Sequence, residues 1–130
     1  MSGKRVLIVD DEQLTRISLS DFLEELGYDS VVAGDGKTAI ELQTERPFDV
    51  CVVDIRMPGI DGMQVILALH QIAPRSRFIV YTGSPRFYLP PALMEIGISE
   101  QEVVFKPVLD MYVFVPLIER LVGETDLRIS

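Results

Sequence analysis

Residues 6–12 read Val6-Leu7-Ile8-Val9-Asp10-Asp11-Glu12, four large apolar residues running straight into three acids. Residues 50–54, Val50-Cys51-Val52-Val53-Asp54, repeat the arrangement with one acid, and Phe78-Ile79-Val80-Tyr81-Thr82 ends a similar run on a hydroxyl. Each run is β-branched or bulky and shows no alternation, which predicts strands covered on both faces, as in a parallel sheet. Val31-Val32-Ala33 and Val103-Val104-Phe105 are weaker versions of the same pattern.

Helical periods fill the intervals. Leu14, Ile17, Leu19, Phe22, Leu23 and Leu26 make one apolar stripe that Gly27 closes. Residues 38–45 carry Ala39, Ile40 and Leu42 and stop before Pro47, residues 63–72 carry Val65, Ile66, Leu69 and Ile72, and Tyr112 to Val122 is the last period. Strand and helix alternate throughout, so an α/β domain with helices on both faces of a mostly parallel sheet is expected. Residues 1–123 read as one domain and 124–130 as a tail or the start of a linker.

The totals agree with that reading and exclude others. A chain of 130 residues is long enough for one two-sided core, and an apolar share of 48% argues against disorder or a fibrous repeat. Twelve basic residues against 20 acidic ones give a formal charge of -8, which repels phosphate backbones and argues against direct nucleic-acid binding. The one cysteine, Cys51, cannot form an internal disulfide and reads as a buried small hydrophobe. The apolar run after the basic N-terminus spans only Val6 to Val9, too short for a signal peptide or a membrane span, so a soluble cytoplasmic protein is expected.

The placement of the acids points to chemistry. In an open parallel sheet, ligands bind beyond the carboxyl ends of the strands, where strand order reverses. If the first and third strands are neighbours, Asp10, Asp11 and Asp54 converge, and like charges that close need a proton or a cation among them. Mg²⁺ suits such hard oxygen ligands and keeps waters that a phosphate can replace. Thr82 adds a hydroxyl at the fourth strand end and Lys106 a cation at the fifth, with Pro107 turning the chain away. An acidic metal site, a hydroxyl and an ammonium are the parts needed for phosphoryl transfer to an in-line carboxylate. Each residue also has a plainer role: Asp10 or Asp11 as a helix N-cap, Asp54 as a loop acid, Thr82 as a turn residue.

From about Lys4 to Val122 the sequence resembles the receiver domains of two-component response regulators, the CheY-like family. The resemblance rests on residues 6–12, on Asp54-Ile55-Arg56-Met57-Pro58-Gly59-Ile60-Asp61-Gly62, on Thr82-Gly83-Ser84 and on Phe105-Lys106-Pro107. It implies a flavodoxin-like fold, a doubly wound five-stranded parallel sheet of order 2-1-3-4-5. It implies Asp54 as phosphoacceptor, with Mg²⁺ (or Mn²⁺ in its place) held by Asp10, Asp11, Asp54 and the backbone carbonyl of Arg56. Thr82 and Lys106 would bind the phosphoryl group, while Arg56, Ser84 and Pro107 flank the site. The implied partners are a sensor histidine kinase or phosphotransfer protein and a downstream protein target or an output domain further along the same chain. Such a domain is no enzyme beyond its own phosphoryl transfer and autodephosphorylation.

The chain departs from the family in its second half. Where many members carry Tyr or Phe three residues before the lysine, Val103 stands here, and Phe105 is assigned the opposite strand parity, facing the other side of the sheet. Pro90-Pro91 predict a delayed, shortened fourth helix over Ala92 to Ile96, ended by Gly97, after an irregular loop containing Arg86, Phe87, Tyr88 and Leu89. Pro116 requires the last helix either to begin near Val115 or to kink. The apolar excess of that segment, Leu109, Tyr112 and Val113 included, fits deep packing or a homodimer surface. A receiver-like adapter independent of phosphorylation is the alternative function. A phosphohydrolase with an aspartyl nucleophile is disfavoured, because such enzymes place a second Asp two residues after the nucleophile, usually with Thr or Val beyond, and Asp10-Asp11-Glu12-Gln13-Leu14 does not fit that arrangement.

Overall fold

A computed structural model describes residues 4–56 and 61–129. Met57 to Ile60 of the family motif lie outside the described residues. Strands β1 (Arg5–Val9), β2 (Asp29–Ala33), β3 (Val50–Val53), β4 (Arg77–Thr82) and β5 (Val103–Phe105) alternate with helices α1 (Gln13–Glu25), α2 (Gly36–Glu45), α3 (Gly62–Ile72), α4 (Pro91–Glu95) and α5 (Phe114–Ile129). The strands are all parallel in the order β2-β1-β3-β4-β5, the expected doubly wound sheet.

The unalternating strand sequences are explained by two cores, one on each face. Leu7, Val9, Cys51, Val53, Phe78 and Val80 point to one side and pack with Ala39 of α2, with Val65, Ile66 and Leu69 of α3, and with Leu93 of α4. Val6, Ile8, Val50, Val52, Ile79 and Tyr81 point to the other and pack with Leu19 and Leu23 of α1 and with Phe114, Ile118 and Leu121 of α5. Burial pushes the Cys51 thiol well up, consistent with an inert core residue. A buried knot at the end of the sheet away from the strand-end acids joins three elements. The Gln43 amide donates to the Leu69 carbonyl and to Ser76, and its oxygen accepts from the Phe48 N–H.

Several local readings need amending. The buried stripe of α1 starts at Leu19, because Leu14 and Ile17 lie on its exposed face. Gly27 and Gly97 both adopt positive φ (94° and 99°), the left-handed geometry that lets a chain leave a helix. The fourth helix is short and late as expected, with Pro90 at its N-cap and Pro91 in its first turn. Pro116 is the third residue of α5, within the first turn, where the missing N–H has no intrahelical partner to lose. The backbone of α5 continues past Val122, the end of the apolar period, through Ile129. Leu109, Tyr112 and Val113 are exposed, not deeply packed, although Tyr112 sets its ring edge against Phe22.

The assignment of Phe105 to the opposite face is also corrected. Residues two apart on a strand share a face, and Val103 and Phe105 line one small cleft with Phe87, Tyr88 and Leu89. It is Val104 that turns to the α1/α5 side. Val103 packs against the opposite core, and Phe105 remains half exposed at the cleft.

Close contact beneath the strand ends depends on one glycine. A Cβ on Gly62 would lie 2.4 Å from the Asp54 carbonyl oxygen and 2.5 Å from the Ile55 Cα, so only glycine lets α3 begin against this backbone. Gly62→Ala is therefore expected to cost about 1–3 kcal/mol or more by overpacking. A fall in the urea midpoint at unchanged m-value would show it.

Candidate metal and phosphoryl site

The site is built where four strands, β1, β3, β4 and β5, stop. In β1 and β3, Val9 sits opposite Val53, so the next residues, Asp10 and Asp54, emerge side by side. The ladder holds them there: the Asp54 N–H donates to the Val9 carbonyl (2.8 Å) and the Asp10 N–H to the Ala33 carbonyl (3.1 Å). Both carboxylates are buried, whereas Asp11, one residue along on the turn into α1, is exposed. One carboxylate oxygen from each of Asp10, Asp11 and Asp54 lies within 4.8 Å of the others. Three hard, anionic oxygens at that spacing suit a small divalent cation of the magnesium type.

The carboxylates have specific partners. Asp10 Oδ1 accepts the Glu12 N–H (2.9 Å) and Oδ2 accepts Lys106 Nζ (2.7 Å). Asp54 Oδ1 accepts the Arg56 N–H (3.0 Å) and its Oδ2 faces Lys106 Nζ at 3.4 Å. The Arg16 guanidinium donates to the Asp10 carbonyl, tying α1 to the end of β1. Burial raises the Asp54 carboxyl above the usual carboxylate range; the Arg56 N–H and the Lys106 charge pull against that, and the Asp10 charge adds to it. Burial pulls Lys106 down, but its bond to Asp10 and the charges of Asp10 and Asp54 outweigh that, so the ammonium is held more firmly than a free lysine.

Thr82 and Lys106 come from the far side of β3. The Lys106 N–H donates to the Thr82 carbonyl (2.8 Å), extending the β4–β5 ladder by one step and carrying the lysine to the acids. Thr82 is fully buried and its Oγ1 accepts the Ser84 N–H (3.1 Å). Arg56 is exposed beside Asp54, Ser84 is half buried, and the exposed Pro107 borders an open groove of about 570 Å³ that also meets Glu12, Leu14, Tyr81 and Lys106. The structure thus brings Asp10, Asp11, Asp54 and Lys106 together, and sets Thr82 on the strand between them. Two contacts were not foreseen. Glu12 Oε1 lies 3.3 Å from Lys106 Nζ, and the Tyr81 ring lies under the same ammonium, its centroid 5.1 Å away. The available signals were the third acid of the Asp10-Asp11-Glu12 run and a tyrosine immediately before Thr82.

Residues 6–112 match the family described as the response regulator receiver domain. The chain belongs to that family. It is 32% identical over 106 residues to a probable chemotaxis protein CheY of Rhizobium etli, covering 79% of this chain and 81% of that one. It is 30% identical over 97 residues to sporulation initiation phosphotransferase F of Bacillus subtilis, covering 75% and 78%. Against the regulator of RpoS of Escherichia coli the match is 29% over 109 residues, 84% of this chain but 32% of that longer one. In fold, this receiver superposes on a CheY-like receiver domain protein from Methanospirillum hungatei with a TM-score of 0.82 at 24% identity, covering 98% and 99% of the two chains. Receiver domains of this kind serve two-component signalling. Among the described residues no helix is long and apolar enough to cross a membrane.

The electrostatics of the receiver site predict a stability signature. Asp54 binds its proton more tightly folded than unfolded, so the ionised carboxylate opposes folding at neutral pH. Asp54→Asn should stabilise the metal-free protein at pH 7 by about 1 kcal/mol, roughly 3–5 °C in melting temperature. That gain should shrink as pH falls through the raised Asp54 value, because the wild-type carboxyl then becomes neutral too. If the acid cluster takes up Mg²⁺, the gain should also shrink when the ion is added, since an ion held by all three acids would stabilise only the intact cluster. Melting curves at several pH values, with and without Mg²⁺, would reveal both trends.

Proposed function

We propose that this receiver is a phosphorylation-dependent switch in which Asp54 is the acceptor. The observation that carries the reading is one buried carboxylate, Asp54, set within metal-sharing distance of Asp10 and Asp11 while facing the ammonium of Lys106. Asp10, Asp11 and Asp54 would hold Mg²⁺ or Mn²⁺, with the Arg56 carbonyl as a further oxygen. When bound, the ion offsets the negative charge that accumulates as a phosphoryl group approaches three carboxylates.

The donor is a phosphohistidine of a sensor kinase or phosphotransfer protein, or a small acyl phosphate. A carboxylate oxygen of Asp54 attacks phosphorus, the bond to the donor's nitrogen or oxygen breaks, and the leaving atom takes the electron pair. An aspartyl phosphate results. Lys106 pairs with the new phosphoryl oxygens, and the Thr82 hydroxyl leaves the Ser84 N–H to bond one of them. Thr82 pairs with Phe105 across the β4–β5 ladder, so its movement bears directly on the cleft shared by Phe105, Val103 and the 84–90 loop. The surface of α4, β5 and α5 changes, and with it the contacts to a downstream protein, to an output domain or to a second copy. Hydrolysis of the acyl phosphate resets the state, with Arg56, Ser84 and Pro107 at its border. The setting is the cytoplasm, and neither nucleic acid nor membrane is a direct partner.

A constitutive adapter is the second reading, favoured by Val103 in place of an aromatic and by the five-residue α4. Intact mass after incubation with Mg²⁺ and acetyl phosphate separates the two. A phosphoryl-sized gain in the wild type, absent from Asp54→Asn and abolished by chelation, is the expected result. No gain in mass, together with no beryllofluoride complex, would leave the adapter.

A further inference from the structure

Glu12 occupies the N-cap of α1, yet it makes no side-chain capping bond to the helix backbone. An N-cap side chain normally accepts an N–H of the first turn. Here Oε1 turns outward, accepts the Thr15 hydroxyl at 3.3 Å, and meets Lys106 Nζ at 3.3 Å. The ammonium is thus shared among Asp10 at 2.7 Å, Glu12 at 3.3 Å and Asp54 at 3.4 Å. Its contact with Asp54, the group it must serve, is the longest of the three. Both it and the Glu12 contact exceed the 2.7–2.9 Å usual for a charge-assisted bond, and Asp10 alone lies within that range. The Tyr81 ring, held edge-on against Phe114 in the core, fixes the floor beneath the ammonium.

Resting on the phosphoacceptor reading above, we propose that Glu12 is a positioning residue that anchors Lys106 in the unphosphorylated state and competes with the incoming phosphoryl group for it. A cation held by Asp10, Asp11 and Asp54 would engage Asp10, the nearest partner of Lys106. Glu12 is then the carboxylate next to Lys106 that serves neither as acceptor nor as ligand. A phosphoryl group on Asp54 must draw the ammonium off this carboxylate, so the Glu12 contact weights the equilibrium toward the resting form. Because Glu12 is largely exposed, its effect is modest.

The test uses the intact chain with Mg²⁺ and beryllofluoride, a phosphoryl mimic that adds to the aspartate carboxylate. Glu12→Gln keeps the shape and removes the charge. It should tighten beryllofluoride binding about two- to fivefold, the range expected for losing one exposed ion pair. The same change in a Lys106→Met background should alter binding less than 1.5-fold or so, because the anchor has nothing left to hold. In the beryllofluoride-free protein, Glu12→Gln should also shift the NMR signals of the Lys106 ε-methylene. Unchanged or weaker binding in Glu12→Gln would overturn the proposal. So would an equal gain in both backgrounds, which would mean only general repulsion of the anion by Glu12. An unmoved Lys106 signal would overturn it as well. Wild-type protein that takes up no beryllofluoride would instead remove the phosphoacceptor reading, and this inference with it.

Discussion

The parallel register of β1 and β3 is the constraint from which the rest follows. With Val9 opposite Val53, the chain has no choice but to release Asp10 and Asp54 next to each other, both buried, with Asp11 close by. Two carboxylates that close in a protein interior repel and lose hydration, and the bonds they accept from the Glu12 and Arg56 N–H groups recover only part of that loss. The compensating charge comes from elsewhere. β5 lies at the edge of the sheet, two strands from β3's acid, and its one-step extension past Phe105 puts Lys106 over both acids.

Much of the remaining architecture serves to hold that arrangement. The two cores clamp the sheet from both sides, so the strand ends cannot splay to relieve the repulsion. Gly62 allows α3 to start in contact with the Asp54 and Ile55 backbone, and Arg16 ties α1 to the Asp10 carbonyl. Below β5, buried Glu102 accepts from Ser99 and pairs with Arg120 of α5, which fixes the strand that carries the lysine. Stability is built at the bottom and faces of the sheet, and charge strain is kept at its top. Placement of this kind suits a site whose state is to be changed by a ligand.

How much of this could be read from sequence depended on whether the signal was local. The strands were legible because a two-sided strand must be apolar throughout, and the acids because they followed those strands without a gap. Pro90-Pro91 foretold the short α4 for an equally local reason, the missing N–H. The exposure of Leu14 and Ile17 was not legible, since an apolar period tells which residues share a helix face but not how far the sheet beneath extends. The face of Phe105 is set by the two-residue period of a strand, which puts it with Val103. The Glu12–Lys106 and Tyr81–Lys106 contacts span 94 and 25 positions, and only the sheet order brings them together.

The central claim is that the strand-end acids form one divalent-cation site with Asp54 as a member. Titration of the protein with Mn²⁺, followed by the loss of the free-ion electron paramagnetic resonance signal, tests it most directly. One Mn²⁺ should bind per chain, be displaced by Mg²⁺, and bind far more weakly to Asp11→Asn and to Asp54→Asn. Absence of binding, or binding that neither substitution weakens, would contradict the account.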